Sequence, residues 1–124
     1  MKLSRFTVVV TTDASGDAVV YSPQCNGLIR TVEYVKPSSG GLDVGADIDI
    51  VADVSGAVIW DKDDLAASTV IHPLVQAQDT AGADITGIYA PICVCDERIK
   101  ITVASGGDAL SGTFIFVIEG VALA

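Results

Sequence analysis

The sequence predicts an all-β fold, a single antiparallel β-sandwich or small barrel of about eight strands. Three observations carry this. Thirteen of the sixteen acidic residues are Asp, and only Glu33, Glu97 and Glu119 are Glu; Asp favours turns and caps where Glu favours helix interiors. Twelve glycines accompany many Val, Ile and Thr residues, and β-branched side chains suit pleated strands. Apolar alternation recurs in short runs separated by turn residues, the spacing of sandwiches and barrels.

The elements follow in order. Residues 3–12 alternate, with Phe6, Val8 and Val10 on one face and Arg5, Thr7, Val9 and Thr11 on the other. Asp13-Ala14-Ser15-Gly16-Asp17 reads as a hairpin connection to a strand at 18–22. Ser22 to Gly27 reads as another turn, and a long strand follows at 28–36, ended by Lys36-Pro37-Ser38-Ser39-Gly40-Gly41. Residues 44–54 set Ile48, Ile50 and Ala52 against Asp47, Asp49 and Val51. Ser55-Gly56 turns the chain into a short strand, 57–60, that ends in the only Trp. Residues 65–87 are less patterned and read as a strand near 68–76 plus a long loop. Ile88–Val94 is a strand, Cys95-Asp96-Glu97 a turn, and 98–104 a strand with Ile99, Ile101 and Val103 inward. Ser105-Gly106-Gly107-Asp108 reads as a hairpin turn into a closing strand at 112–121, with Phe114, Phe116 and Ile118 on one face.

At 124 residues and 12.7 kDa, residues 1–124 make one domain. Half the residues are hydrophobic, 19% are charged and the mean hydropathy is +0.52, a composition that excludes intrinsic disorder. No apolar run approaches the roughly 18 residues of a transmembrane helix. The opening Met1–Phe6 is too short and too soon polar for a signal peptide. Three cysteines cannot all pair within one chain, so reduced thiols and an intracellularly assembled protein are expected. The net charge of −9 leaves no surplus of Lys and Arg to replace phosphate counterions, so nucleic acid is not an expected partner.

The residues point away from catalysis, and no catalytic, cofactor-binding or metal residue is assigned. His72 is the only histidine, set in an apolar stretch before Pro73, and reads as a structural residue rather than a general base. No nucleophile elbow or phosphate-binding loop occurs. Cys93 and Cys95 lie two apart on a strand and so share a face, but Cys-x-Cys is not a zinc-knuckle spacing, and their neighbours Ile92 and Val94 make them read as small buried residues. Asp61-Lys62-Asp63-Asp64 lacks the glycine and late Glu of a calcium loop. Asp43, Asp47 and Asp49 read as a solvated acidic face. Trp60, Tyr21 and Tyr89 are the aromatics left for a sugar platform.

One pattern does point to function. If Phe114, Phe116 and Ile118 face the core, then Ile115 and Val117 face the other way, as Val9 does between Thr7 and Thr11. A wet sheet face should be polar. Either loops cover these residues, or Thr and Val simply suit a strand there, or another subunit supplies a second buried face.

The chain also resembles a group of small structural proteins of tailed bacteriophages, the head decoration or cement type. The resemblance is carried by Lys2-Leu3-Ser4-Arg5-Phe6-Thr7-Val8, by Thr11–Ala18 with Tyr21-Ser22-Pro23, and by Cys25–Arg30 with Tyr34-Val35-Lys36. Asp79–Ala83 and Arg98–Ile101, leading into Gly106-Gly107-Asp108 and Gly112-Thr113-Phe114, extend it over nearly the whole chain. It implies a jelly-roll-like β-sandwich that binds the outer surface of an expanded head. The major capsid protein would be its partner, it would sit in the virion as a dimer or trimer after assembly in the host cytoplasm, and it would have no cofactor, enzymatic step or membrane contact. One departure is the absence of the long N-terminal arm usual in some related groups. Competing readings are a neck, tail or fibre component, and a carbohydrate-binding module anchored on Trp60; a cupin-like enzyme would need several metal-binding histidines. Expected contact residues are Arg5, Thr7, Val9 and Thr11 on the opening strand, Ile115, Val117 and Glu119 on the closing one, and Trp60, which is either a core plug or a contact anchor.

Overall fold

The computed structural model describes residues 2–122, which form ten strands and no helix. They are β1 (Leu3–Thr11), β2 (Ala18–Tyr21), β3 (Cys25–Val35), β4 (Asp47–Ala52), β5 (Val58–Lys62), β6 (Thr69–Ile71), β7 (Leu74–Gln78), β8 (Asp84–Glu97), β9 (Ile99–Ala104) and β10 (Ser111–Ala122). The larger sheet runs β1-β10-β3-β8-β7, with β6 also on β3, and the smaller runs β2-β9-β4-β5. All the strand pairings are antiparallel.

Setting β6 and β7 aside, the pairs β1–β10, β2–β9, β3–β8 and β4–β5 nest inside one another. This is one long antiparallel ribbon with the β4–β5 hairpin at its tip. It is wound so that successive pairs fall alternately in the two sheets, which is the jelly roll. The core lies between the inward faces. Val8 and Val10, Phe114, Phe116 and Ile118, Ile29, Val32 and Tyr34 come from the larger sheet; Ile48, Ile50, Ile99, Ile101 and Val103 come from the smaller. Phe6 stacks on Phe116 at 5.3 Å and Tyr34 tilts against Phe114 at 5.2 Å, geometries that add to their area burial.

Several expected boundaries differ, each for a physical reason. Cys25–Gly27 belongs to β3 rather than to a turn, because Gly27 and Gly120 face each other and, lacking side chains, let the two backbones close up. A Cβ on Gly27 would lie 2.2 Å from the Glu119 carbonyl oxygen, and its φ of +138° already favours glycine. The expected strand at 68–76 breaks at His72-Pro73, since Pro73 has no N–H to continue a ladder. The long loop expected up to residue 87 is half strand, because β8 begins at Asp84. Asp13–Asp17 and Ser105–Asp108 are not hairpin turns; they carry the chain from one sheet to the other. Cys95–Glu97 ends β8, and the crossing to β9 turns at Arg98, with Asp96 at φ +51°.

Glu97 locks that crossing. Its side chain is 5% exposed, and Oε1 accepts the N–H groups of Val54 and Ser55, both at 2.9 Å. Burial alone raises a carboxyl pKa, but these donors, with the Cys95 N–H, outweigh it and hold Glu97 below the ordinary carboxylate range. The end of one sheet is thereby tied to the β4–β5 turn of the other.

Candidate functional site

The strand register brings seven of the eight expected contact residues onto one surface. Arg5 lies opposite Val117, Thr7 opposite Ile115, and Leu3 opposite Glu119, while Val9 and Thr11 continue the row opposite Thr113 and Ser111. β3 extends the same face, with Thr31 beside Val117 and Glu33 beside Ile115, and β6 adds Val70 beside Glu33. This is the outward face of the larger sheet. It is mixed rather than greasy: Val9 is 60% exposed, Ile115 and Val117 are half-buried, and Arg30 pairs with Glu119 across it. Trp60 is not part of this face. It pairs with Ile50 and is 8% exposed in the core, because a bulge after Ile50 lets both Ile59 and Trp60 turn inward. Of its two expected placements the structure has the core plug, which also removes the aromatic on which a sugar platform was to rest.

The other half of the site is a feature that reading the residues missed. β8 is fourteen residues long, and only its second half pairs with β3, at Ile92, Cys93, Val94 and Glu97. Its first half pairs with β7 alone, so β7 and β8 leave the sheet as a two-stranded arm. At about 3.4 Å per residue the paired length, Leu74 to Gln78 against Asp84 to Pro91, is roughly 14 Å, the extra β8 residues being taken up by an irregularity opposite Ala77. Every residue from Gln78 to Tyr89 is exposed. Leu74 and Tyr89 lie on one side of the ribbon, Val75 and Ile88 on the other, each more than half exposed. Between Asp64 and Asp96 the only charged side chains are Asp79 and Asp84, at the tip.

The arm's turn is the signal that was available. Asp79 Oδ1 accepts the N–H groups of Ala81 and Ala83, the Gly82 N–H reaches the Asp79 carbonyl, and Asp79 N–H reaches the Ala83 carbonyl. Asp13 makes the same four bonds with Ser15, Gly16 and Asp17. Gly16 and Gly82 hold φ of +82° and +84° at the same place in each loop. Asp13–Asp17 and Asp79–Ala83 are one turn motif used twice, an Asx-type cap with the left-handed residue that such a turn requires.

Cys93 and Cys95 face outward rather than into the core, since Ile92 and Val94 take the inward positions. Cys25 is buried, and burial raises its thiol pKa, the environment of an inert cysteine. His72 is exposed at the base of the arm. Among the described residues no three His, Cys, Asp or Glu side chains converge as metal ligands would.

No protein-family model and no curated protein sequence matches the chain. Among solved structures, one titled "Crystal Structure of FLHE" is similar over 97% of this chain and 100% of that one, at 12% identity and a TM-score of 0.45.

Proposed function

We propose that this protein is a structural component that works by surface contact, a decoration protein bound to the outside of a tailed-phage head. The observation that carries this is where exposed hydrophobic side chains fall. Of thirteen large hydrophobic residues left exposed among the described residues, eight (Leu3, Val9, Val70, Leu74, Val75, Ile85, Ile88 and Tyr89) belong to the larger sheet and its arm. The accessible surface is 6612 Å², above the about 6,200 Å² expected for a compact monomer of this mass. A small domain that leaves apolar strand surface uncovered on one sheet and its arm has the form of a part awaiting assembly. The residue-level resemblance to decoration proteins supplies the partner, the major capsid protein. The acidic exterior suits the outside of a shell, where no phosphate backbone has to be met.

The test is a reconstruction of the virion combined with binding of the purified protein to emptied, expanded heads. Hundreds of copies on the outer surface, with the Arg5–Thr11 and Ile115–Glu119 face against capsid subunits, is the expected result. Six or twelve copies on the tail axis overturns the location, and failure to bind heads together with absence from the particle overturns the whole reading.

A further inference from the structure

The arm presents an open strand edge as well as apolar side chains, and the edge is unguarded. Natural sheet edges are blunted by charge, by proline within the strand or by shortness. The other edges are: β1 carries Arg5, β5 ends in Asp61 and Lys62, β2 has four residues and β6 three, and the free side of β8 along the arm is broken by the irregularity opposite Ala77 and by Gly87 at φ +82°. β7, Leu74-Val75-Gln76-Ala77-Gln78, has no charge and no internal proline, and it pairs only with β8. Leu74 faces Pro91, which has no N–H to exchange. The ladder bonds to β8 therefore fall on the next pair, Val75 with Ala90, and alternation turns the N–H and C=O of Leu74 and Gln76 to the free side.

We propose that this edge pairs antiparallel with the β7 edge of a second copy of the chain, joining two arms into a four-stranded ribbon across a two-fold axis at Gln76. Charge selects the second copy. Two chains of −9 repel wherever their bodies meet, but the pairing strand has no charge at all. An antiparallel crossing leaves the bodies at opposite ends of an arm longer than the roughly 8 Å screening length of physiological salt. The two-fold is self-complementary: Gln76 meets its own copy, Val75 meets Ala77 of the second copy, and Leu74 meets Gln78 of the second copy. Asp79, the nearest carboxylate, falls opposite an uncharged Pro73. An isolated two-stranded ribbon is marginal in water, whereas three or more strands with an apolar face are stable. Pairing thus completes a structure that one chain leaves half-built. The sheet face assigned above to the shell takes no part, so this pairing goes beyond the decoration reading and does not depend on it.

Analytical ultracentrifugation of the full chain, read with amide hydrogen exchange, tests it. A five-residue edge buries less than a permanent dimer interface, so dimerisation is expected at about 1–100 μM. The amides of Leu74 and Gln76 should gain protection with concentration while those of β1 do not. Gln76→Pro removes an outward N–H that the fold does not use, a position where an edge strand tolerates proline. Two hydrogen bonds are lost across the two-fold, so its dissociation constant should rise about 30-fold or more. Leu74→Lys, a second edge-blocking variant that keeps the backbone, should weaken the dimer in the same direction. A wild-type chain monomeric at about 500 μM, well above the range expected for so small an edge, overturns the proposal, as does a dimer that neither variant weakens. Arm amides protected only on phage heads would also overturn it, while leaving the decoration reading intact. A dimer that binds no heads would do the reverse.

Discussion

Replacing Glu97 by Gln tests the account of how the two sheets are locked. In the folded protein one carboxylate oxygen receives two backbone N–H groups at 2.9 Å from a side chain almost withdrawn from water. Hydrogen bonds to a charged acceptor contribute about 1.5–3 kcal/mol each, against about 0.5–1.5 for neutral ones. Gln keeps the acceptor oxygen but loses the charge, and turns an NH₂ group toward the Cys95 N–H. The substitution should therefore cost about 2 kcal/mol at pH 7, or roughly 6–10 °C in Tm for a domain of this size. Because the folded-state pKa is depressed, the wild-type contribution is complete above the unfolded value of about 4.3 and fades as pH falls through the lower folded value. The gap between the wild-type and Glu97→Gln chains should thus be full at pH 7, still nearly full at pH 5, and closing by about pH 3. Urea denaturation followed by fluorescence of the buried Trp60 measures both arms. Equal midpoints at pH 7, or a gap unchanged at pH 3, would refute the reasoning.

Four further outcomes are expected. Gly27→Ala should lower stability by about 3 kcal/mol or more, seen in thermal melts, since the new Cβ meets backbone that has no room to move. Tyr34→Phe should change stability by no more than about 1 kcal/mol, because the buried hydroxyl has only the Leu42 backbone beside it and makes no well-formed hydrogen bond there. Excising residues 76–88 in favour of a two-residue turn should preserve the melting curve within about 1 kcal/mol while abolishing self-association, since no residue of that segment belongs to the core. Val9→Asp should change stability by no more than about 0.5 kcal/mol yet weaken binding to phage heads, as a charge on an exposed interface position does.

The sandwich was legible because alternation is a local signal. β1, β4, β9 and β10 each bury the residues that a period of two selects. Which strands pair was not legible, since the nested jelly-roll order depends on contacts between positions as distant as Leu3 and Glu119. The outward face of the larger sheet was legible for the same reason as the strands: once Phe114 and Phe116 point inward, Ile115 and Val117 have one place to go. Trp60 was decided by a bulge, one extra residue that no periodicity reveals. The arm was hidden because its alternation is weak, with Gln, Ala and Thr diluting Val75, Ile85 and Ile88. Its signature lay in Asp79–Ala83, which repeats the turn logic of Asp13–Asp17 with a different fate. One turn joins two sheets and the other closes a hairpin, and the turn residues are the same in both.

The magnitude of the exposed surface bears on how the proposed sheet-face contact and the proposed arm pairing would act together. Covering one of the half-exposed large side chains gains on the order of 1 kcal/mol, so Leu74, Val75, Ile85, Ile88 and Tyr89 together offer about 5 kcal/mol. The rotational and translational cost of association is about 4–15 kcal/mol. The mixed sheet face of a lone chain then holds a partner weakly, and the arms pair no more tightly than the micromolar range. Two chains joined by their arms present two sheet faces at once, and the second face binds at an effective concentration set by the rigid ribbon rather than by the solution. Such linkage strengthens attachment by about 10²–10⁴ without any new contact. The dependence is therefore steep: a variant that only weakens arm pairing, such as Gln76→Pro, should lower head occupancy by far more than its effect on a single sheet face, which is none. Occupancy that falls only with changes at the sheet face, and is indifferent to the arm, would show that each chain binds alone.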